Sequence, residues 1–123
     1  MNKKLLLHTE TTIDSCHQLK GYDGKCKHLH GHTWKVEIWF RGEPRLKDNV
    51  GILVDFGIVK ELKEWLDHRN LNEEIPVNPT AENLIQYIYS YIKEKINNDE
   101  IEVKVRLYET AVDKKTWCEW GDF

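Results

Sequence analysis

The segment CKHLHGHTWKVEIWF, residues 26–40, joins two patterns whose meeting decides how the chain is read. Its first seven residues hold a cysteine, three histidines and a glycine. Its remainder alternates, with Trp34, Val36, Ile38 and Phe40 on one side and Lys35, Glu37 and Arg41 on the other, the period of a strand with one buried face. On an extended backbone His30 and His32 point the same way, about 6.6 Å apart, and can converge on one ion. His28 shares their parity, but about 13 Å separates it from His32, so only an adjacent pair serves a single ion. A third ligand must come from elsewhere, and His17 is the best placed. The bland alternative is a polar surface loop, against which the density of imidazoles within seven residues argues. Three neutral imidazoles with an open fourth position describe catalytic zinc, whereas structural zinc is closed by four ligands and rich in cysteine.

Outward from this segment, residues Leu5 to Ile13 alternate as a half-buried strand that delivers His17 just past its end. A turn over Gly21-Tyr22-Asp23-Gly24 then makes the two strands the arms of an antiparallel hairpin. Beyond it lie a loop around Gly42-Glu43-Pro44 and Lys47-Asp48-Asn49, and a short extended run from Val50 to Val54. Asp55 is placed to cap a helix whose stripe is Ile58, Val59, Leu62, Trp65 and Leu66. Thr80 caps a second, with Leu84, Ile85, Ile88, Tyr91, Ile92 and Ile96 on its apolar face. Glu102 to Glu109 and Lys115 to Trp120 read as strands. The order ββααββ predicts an α+β domain, a four-stranded antiparallel sheet with two helices on one face. The other face, with Trp39, Tyr108 and long polar chains, meets solvent or another subunit.

Composition bounds the function. The chain has 123 residues, 40% hydrophobic and 32% charged, and reads as one globular domain spanning 1–123. A net charge of -3 without a basic block disfavours nucleic acid as a partner. The apolar run Leu5-Leu6-Leu7 is too short for a signal peptide, and no run approaches a membrane span. Three cysteines, Cys16, Cys26 and Cys118, without framework spacing suit reduced thiols in a cytoplasm.

Three further spots carry possible chemistry. A metal near Cys26 would lower its thiol pKa, making a thiolate base or nucleophile available. Asp67-His68 pairs a carboxylate with an imidazole at a helix end, fitting proton transfer or, more plainly, a helix cap. Glu109, at the end of a strand, is either an ordinary exposed acid or, held in a pocket, a carboxylate that can accept two parallel hydrogen bonds from an amidine-like edge such as a pterin's or a guanine's.

Together, His17, Cys26, His30-Gly31-His32, Asp55-Phe56, Asp67-His68 with Leu71-Asn72, Pro79-Thr80-Ala81-Glu82-Asn83 and Glu109-Thr110 resemble, over nearly the whole chain, the superfamily of 6-pyruvoyl- and 6-carboxy-tetrahydropterin synthases. The resemblance implies the tunnelling fold, with sheets joined into trimeric barrels and two barrels stacked as a homohexamer. It implies zinc held by His17, His30 and His32, with His28 outside the shell. It makes Cys26 the catalytic base, His68, oriented by Asp67, the second proton-transfer group, and Glu109 the pterin anchor, with Thr80 near the same pocket. The implied substrate is 7,8-dihydroneopterin triphosphate, with Lys20, Lys25 and Lys27 as candidates for its phosphates. Three residues separate Cys26 from His30, a spacing similar to that of the bacterial 6-carboxy enzymes; the 6-pyruvoyl activity is the alternative, and a zinc-stabilised binding module without turnover a third reading. The chain departs from the pattern at Asp14-Ser15-Cys16, where the family often has Ser-Ala-Ala, and at Thr33-Trp34, where it has Asn-Tyr or a relative.

Overall fold

The computed structural model describes residues 3–24, 27–43 and 50–123. Cys26 and Lys25 lie outside the described residues, as does the loop sequence from 44 to 49. Two 13-residue strands, β1 (Leu5–His17) and β2 (His30–Gly42), form an antiparallel pair in register from Leu5 opposite Gly42 to His17 opposite His30. The expected end of β1 at Ile13 is thus four residues early. Ser15 and His17 continue the inward parity of Ile13, but being polar they hide the continuation from a hydropathy pattern.

The chain continues through α1 (Gly57–Leu66), β3 (Arg69–Asn70), α2 (Leu71–Glu74), α3 (Ala81–Ile96), β4 (Glu102–Tyr108) and β5 (Trp117–Gly121). The four expected strands are present, but among the described residues the sheet has five, in the order β3-β1-β2-β4-β5. The addition is the two-residue β3, which pairs parallel with Ser15 and Cys16 of β1. So brief a bridge has no periodicity to read, and it forms because the chain leaving α1 runs along the end of β1. The one-turn α2 is likewise new, capped by the Asn70 side chain accepting from the Asn72 amide. Residues 50–54, expected to be extended, form no strand; Leu53 and Val54 are instead buried at the margin of the core.

Helices α1 and α3 cover one sheet face, and the core lies between. Trp34, Val36, Ile38 and Phe40 of β2 and Val103, Val105 and Leu107 of β4 meet Leu62 and Leu66 of α1 and Leu84, Ile85, Ile88 and Ile92 of α3, all essentially without solvent exposure. Trp65 and Tyr91, expected in the apolar stripes, are only partly buried and stack on each other at 4.8 Å, joining the two helices at the edge of the core. Thr80 caps α3 as expected, its hydroxyl accepting from the Asn83 amide, whereas the cap position of α1 is Phe56, without a side-chain cap, and Asp55, expected there, stands one residue earlier with its carboxylate accepting from the Gly57 amide. Helix α3 ends at Asn97, whose φ of +49° is a left-handed stop.

The uncovered face carries a ladder of charge and aromatic rings. Lys35 reaches Glu10 and Glu37 at 3.2 and 3.5 Å, and Arg106 pairs with Glu119 at 2.7 Å. Lys104 and Arg106 lie over the Trp39 ring. Hydrogen bonds from Arg41 and Lys4 pull the Glu102 carboxyl down to about 2. No helix among the described residues is long and apolar enough to cross a membrane.

Leu62 is fully buried where α1 meets the sheet. Leu62→Ala should therefore cost about 2–5 kcal/mol of stability, read as a lowered midpoint in urea unfolding at unchanged slope.

Candidate active site

The β1–β2 register builds the centre of the site. His17, the last residue of β1, faces His30, the first of β2, and His32 sits two residues along on the same face. The three rings converge with centroids 4.6, 5.1 and 4.7 Å apart, and one nitrogen from each lies within 4.8 Å of the others. Trp34 floors the group, its ring edge-on to His17 and His32 at 5.1 and 5.4 Å.

The hydrogen bonds around the rings decide what they can hold. His17 Nδ1 lies 2.7 Å from the Pro79 carbonyl, and His30 Nδ1 lies 2.7 Å from the His28 carbonyl. A carbonyl only accepts, so each Nδ1 carries the hydrogen and, in a neutral ring, each Nε2 is a bare lone pair. Those two Nε2 atoms stand 3.1 Å apart. Two lone pairs repel each other at that distance, and a cation between them satisfies both. The third ring adds a second sign of the same need, because His32 Nε2 is buried with no hydrogen-bond partner. Protonation is a poor remedy: burial, the largest influence on both, lowers the pKa of His17 and His32, outweighing the attraction of Glu109. Three convergent ring nitrogens with backbone carbonyls behind two of the rings fit a divalent metal ion.

Glu109, just past the end of β4, brings its carboxylate to 3.7 Å from His17 Nε2 and 3.8 Å from His32 Nε2 while staying partly open to solvent. It therefore stands at the mouth of the imidazole cluster. Thr80 meets the cluster only indirectly: its hydroxyl caps α3, and the carbonyl that orients His17 belongs to the residue before it. His28 likewise contributes its carbonyl, not its ring. Asp67 and His68 follow α1 and cross the end of β1. Asp67 Oδ2 lies 3.5 Å from His68 Nε2, and the imidazole is largely exposed. His68, Asp14, Cys16, Gly31, His32 and Thr33 help line one open cleft of about 600 Å³.

Sequence reasoning missed the residues that act through main-chain groups. Pro79 and His28 serve through carbonyls, which leave no side-chain signal. Asn72, named only within the resemblance, and Asn78, not singled out, each clamp the chain leaving β1: Asn72 bonds both the amide and carbonyl of Gln18, and Asn78 those of Lys20, at 2.7 to 2.9 Å. Cys118 is half-buried against the Ala81 carbonyl, its pKa pushed up to about 11 chiefly by burial.

A three-histidine centre on a hairpin, with His17 buried, His30 and His32 partly so and a carboxylate beside them, fits a metal-dependent enzyme. The chain belongs to the 6-pyruvoyl tetrahydropterin synthase family, whose model matches residues 6–119. A chain of Archaeoglobus fulgidus provisionally named 6-carboxy-5,6,7,8-tetrahydropterin synthase is 33% identical, with 97% of each chain covered. The 6-carboxy-5,6,7,8-tetrahydropterin synthase of a Synechocystis species is 30% identical over 72% of this chain and 75% of its own. The fold is shared with the 6-pyruvoyl tetrahydropterin synthase of Caenorhabditis elegans, at a TM-score of 0.78 and 21% identity over 99% of this chain and 98% of that one.

If the imidazoles form the metal centre, titration with zinc should saturate at one ion per chain. His30→Ala should abolish that stoichiometric binding while circular dichroism stays native, since His30 lies at the rim of the core and not within it. Elemental analysis after gel filtration checks it.

Proposed function

We propose that this protein is a zinc-dependent 6-carboxy-5,6,7,8-tetrahydropterin synthase, converting 7,8-dihydroneopterin triphosphate with release of acetaldehyde and triphosphate, a step of queuosine biosynthesis. The observation that carries the metal requirement is the pair of facing Nε2 lone pairs beside an unpartnered His32 Nε2. The names of the relatives support the reaction. Zinc bound to His17, His30 and His32 would act as a Lewis acid, acidifying the substrate's side-chain hydroxyls.

The chain's own residues do the rest. Glu109 accepts two parallel hydrogen bonds from the pterin's amino-pyrimidinone edge, which sets the ring beside the imidazole cluster. Cys26 removes a proton from the side chain as a thiolate. His68, held by Asp67, carries the second proton. Thr80 shapes the same pocket through the turn that caps α3. Lys20 and Lys27, on the connection between β1 and β2, supply positive charge for the triphosphate. The assembly is a cytoplasmic homohexamer of two stacked trimeric rings, consistent with a sheet that leaves one face uncovered and both edges open.

The 6-pyruvoyl activity is the second reading, favoured by the family to which the chain belongs. Products separate the two. Purified zinc-loaded protein incubated with 7,8-dihydroneopterin triphosphate should yield 6-carboxytetrahydropterin and acetaldehyde; a pyruvoyl product without acetaldehyde assigns the other activity. A non-catalytic zinc module would give neither and would unfold on chelation, whereas this fold has a core independent of the ion.

Cys26→Ala tests the base. Turnover should fall about 10²- to 10⁴-fold with bound zinc unchanged, because a base is lost and not a ligand. Loss of zinc in that variant would place the thiol on the metal.

A further inference from the structure

Asp14 and Thr33 face each other across the β1–β2 ladder, one from each of the two stretches in which the sequence departs from the pattern it resembles. They are bonded: the Thr33 hydroxyl donates to Asp14 Oδ1 at 2.5 Å. The main-chain groups of Asp14 are turned away from β2, toward the segment that follows α1. Its amide donates to Asp67 Oδ1 at 2.9 Å, and its carbonyl accepts from the His68 amide at 2.6 Å. One residue thus holds both members of the Asp67-His68 pair. The direction of these groups makes Asp14 and Thr33 a non-hydrogen-bonded cross-strand pair, the kind whose side chains lie closest together.

What is held is not at rest. His68 has φ of +57°, the left-handed region that a residue with a Cβ rarely occupies. Such a conformation persists only where its surroundings fix it. Here the bond from the His68 amide to Asp14 fixes it, reinforced by the Ser15 hydroxyl donating to the Leu66 carbonyl at 2.5 Å one residue along β1. On the other side, the Thr33 carbonyl accepts from the Ala111 amide at 2.8 Å, two residues beyond Glu109. Thr33 itself adjoins His32. The Thr33–Asp14 bond therefore adds a side-chain link between the segments bearing Glu109 and His32 and the one bearing the proton-transfer pair, beside the ladder pairing of Ser15 with His32 and Arg69.

We propose that Thr33 and Asp14 are positioning residues, their side-chain bond fixing Asp14 so that its main chain holds Asp67 and His68 in the reactive geometry. Asp14 also lines the cleft onto which His68 opens, and with its carboxylate engaged by Thr33, Asp67 is left as the acid paired with the imidazole. Neither residue touches the substrate in this scheme. The inference rests on the role proposed above for Asp67 and His68, but the tether itself is a statement about the His68 main chain and can be measured without turnover.

The test compares Thr33→Val, Thr33→Ser, Asp14→Ala and the Val/Ala double variant in the zinc-loaded full chain. Hydrogen exchange at the His68 amide should quicken about tenfold or more in Thr33→Val and Asp14→Ala and remain near wild type in Thr33→Ser. With turnover, kcat should fall about tenfold at little change in KM and none in bound zinc, and serine should restore it. The double variant should fall no further than either single one, because both remove the same bond. Unchanged exchange at His68 in both single variants overturns the tether, as does an additive loss in the double. If the wild-type chain makes no 6-carboxy product, the proposed reaction fails while the exchange comparison still decides the tether. Should Thr33→Val not fold, Asp14→Ala against Thr33→Ser carries the same comparison.

Discussion

The register of the β1–β2 pair is the constraint on which the site depends. A slip of one residue would turn His17 to the opposite face from His30 and His32, and the centre would vanish though every residue were retained. What prevents the slip is the burial of Trp34, Val36, Ile38 and Phe40 on the same face, further along the same strand. The hydrophobic core and the imidazole cluster are thus two ends of one face, and the energy that folds the domain also aligns the donors.

Alignment alone does not set the protonation state of the rings. That is the work of main-chain carbonyls brought from two different directions, one from the turn before α3 and one from two residues upstream of His30. Because those carbonyls can only accept, they choose the tautomer that leaves Nε2 free, and burial keeps His17 and His32 neutral. The chain leaving β1 is in turn clamped by the side-chain amides of Asn72 and Asn78. The result is a centre whose geometry is supported from behind by groups with no chemistry of their own.

The sheet, both long helices and their inward stripes were legible because alternation and helical spacing survive in the sequence wherever a face is apolar. The end of β1 was not, since Ser15 and His17 are polar residues that the fold buries. The two-residue β3 and one-turn α2 lacked any period to detect. Within the site, the imidazoles were readable from residue type and spacing and Glu109 from the family resemblance, and the structure brings them together. The carbonyls of Pro79 and His28 and the Asp14–Thr33 bond were not, for contacts of that kind depend on which strands become neighbours. Cys26 lies outside the described residues, so its expected place beside the centre stands as a proposal.

The connection between β1 and β2 begins under restraint, with Gln18 and Lys20 clamped, and ends where His30 enters the ladder. Since the ladder and not the connection sets the distance between His17 and His30, residues can be inserted or lost between them while the donors keep their positions. Cys26 belongs to that stretch of sequence. The spacing of the three imidazoles and the length of the connection are therefore separately adjustable: residues can be added to or removed from this segment without moving the histidines.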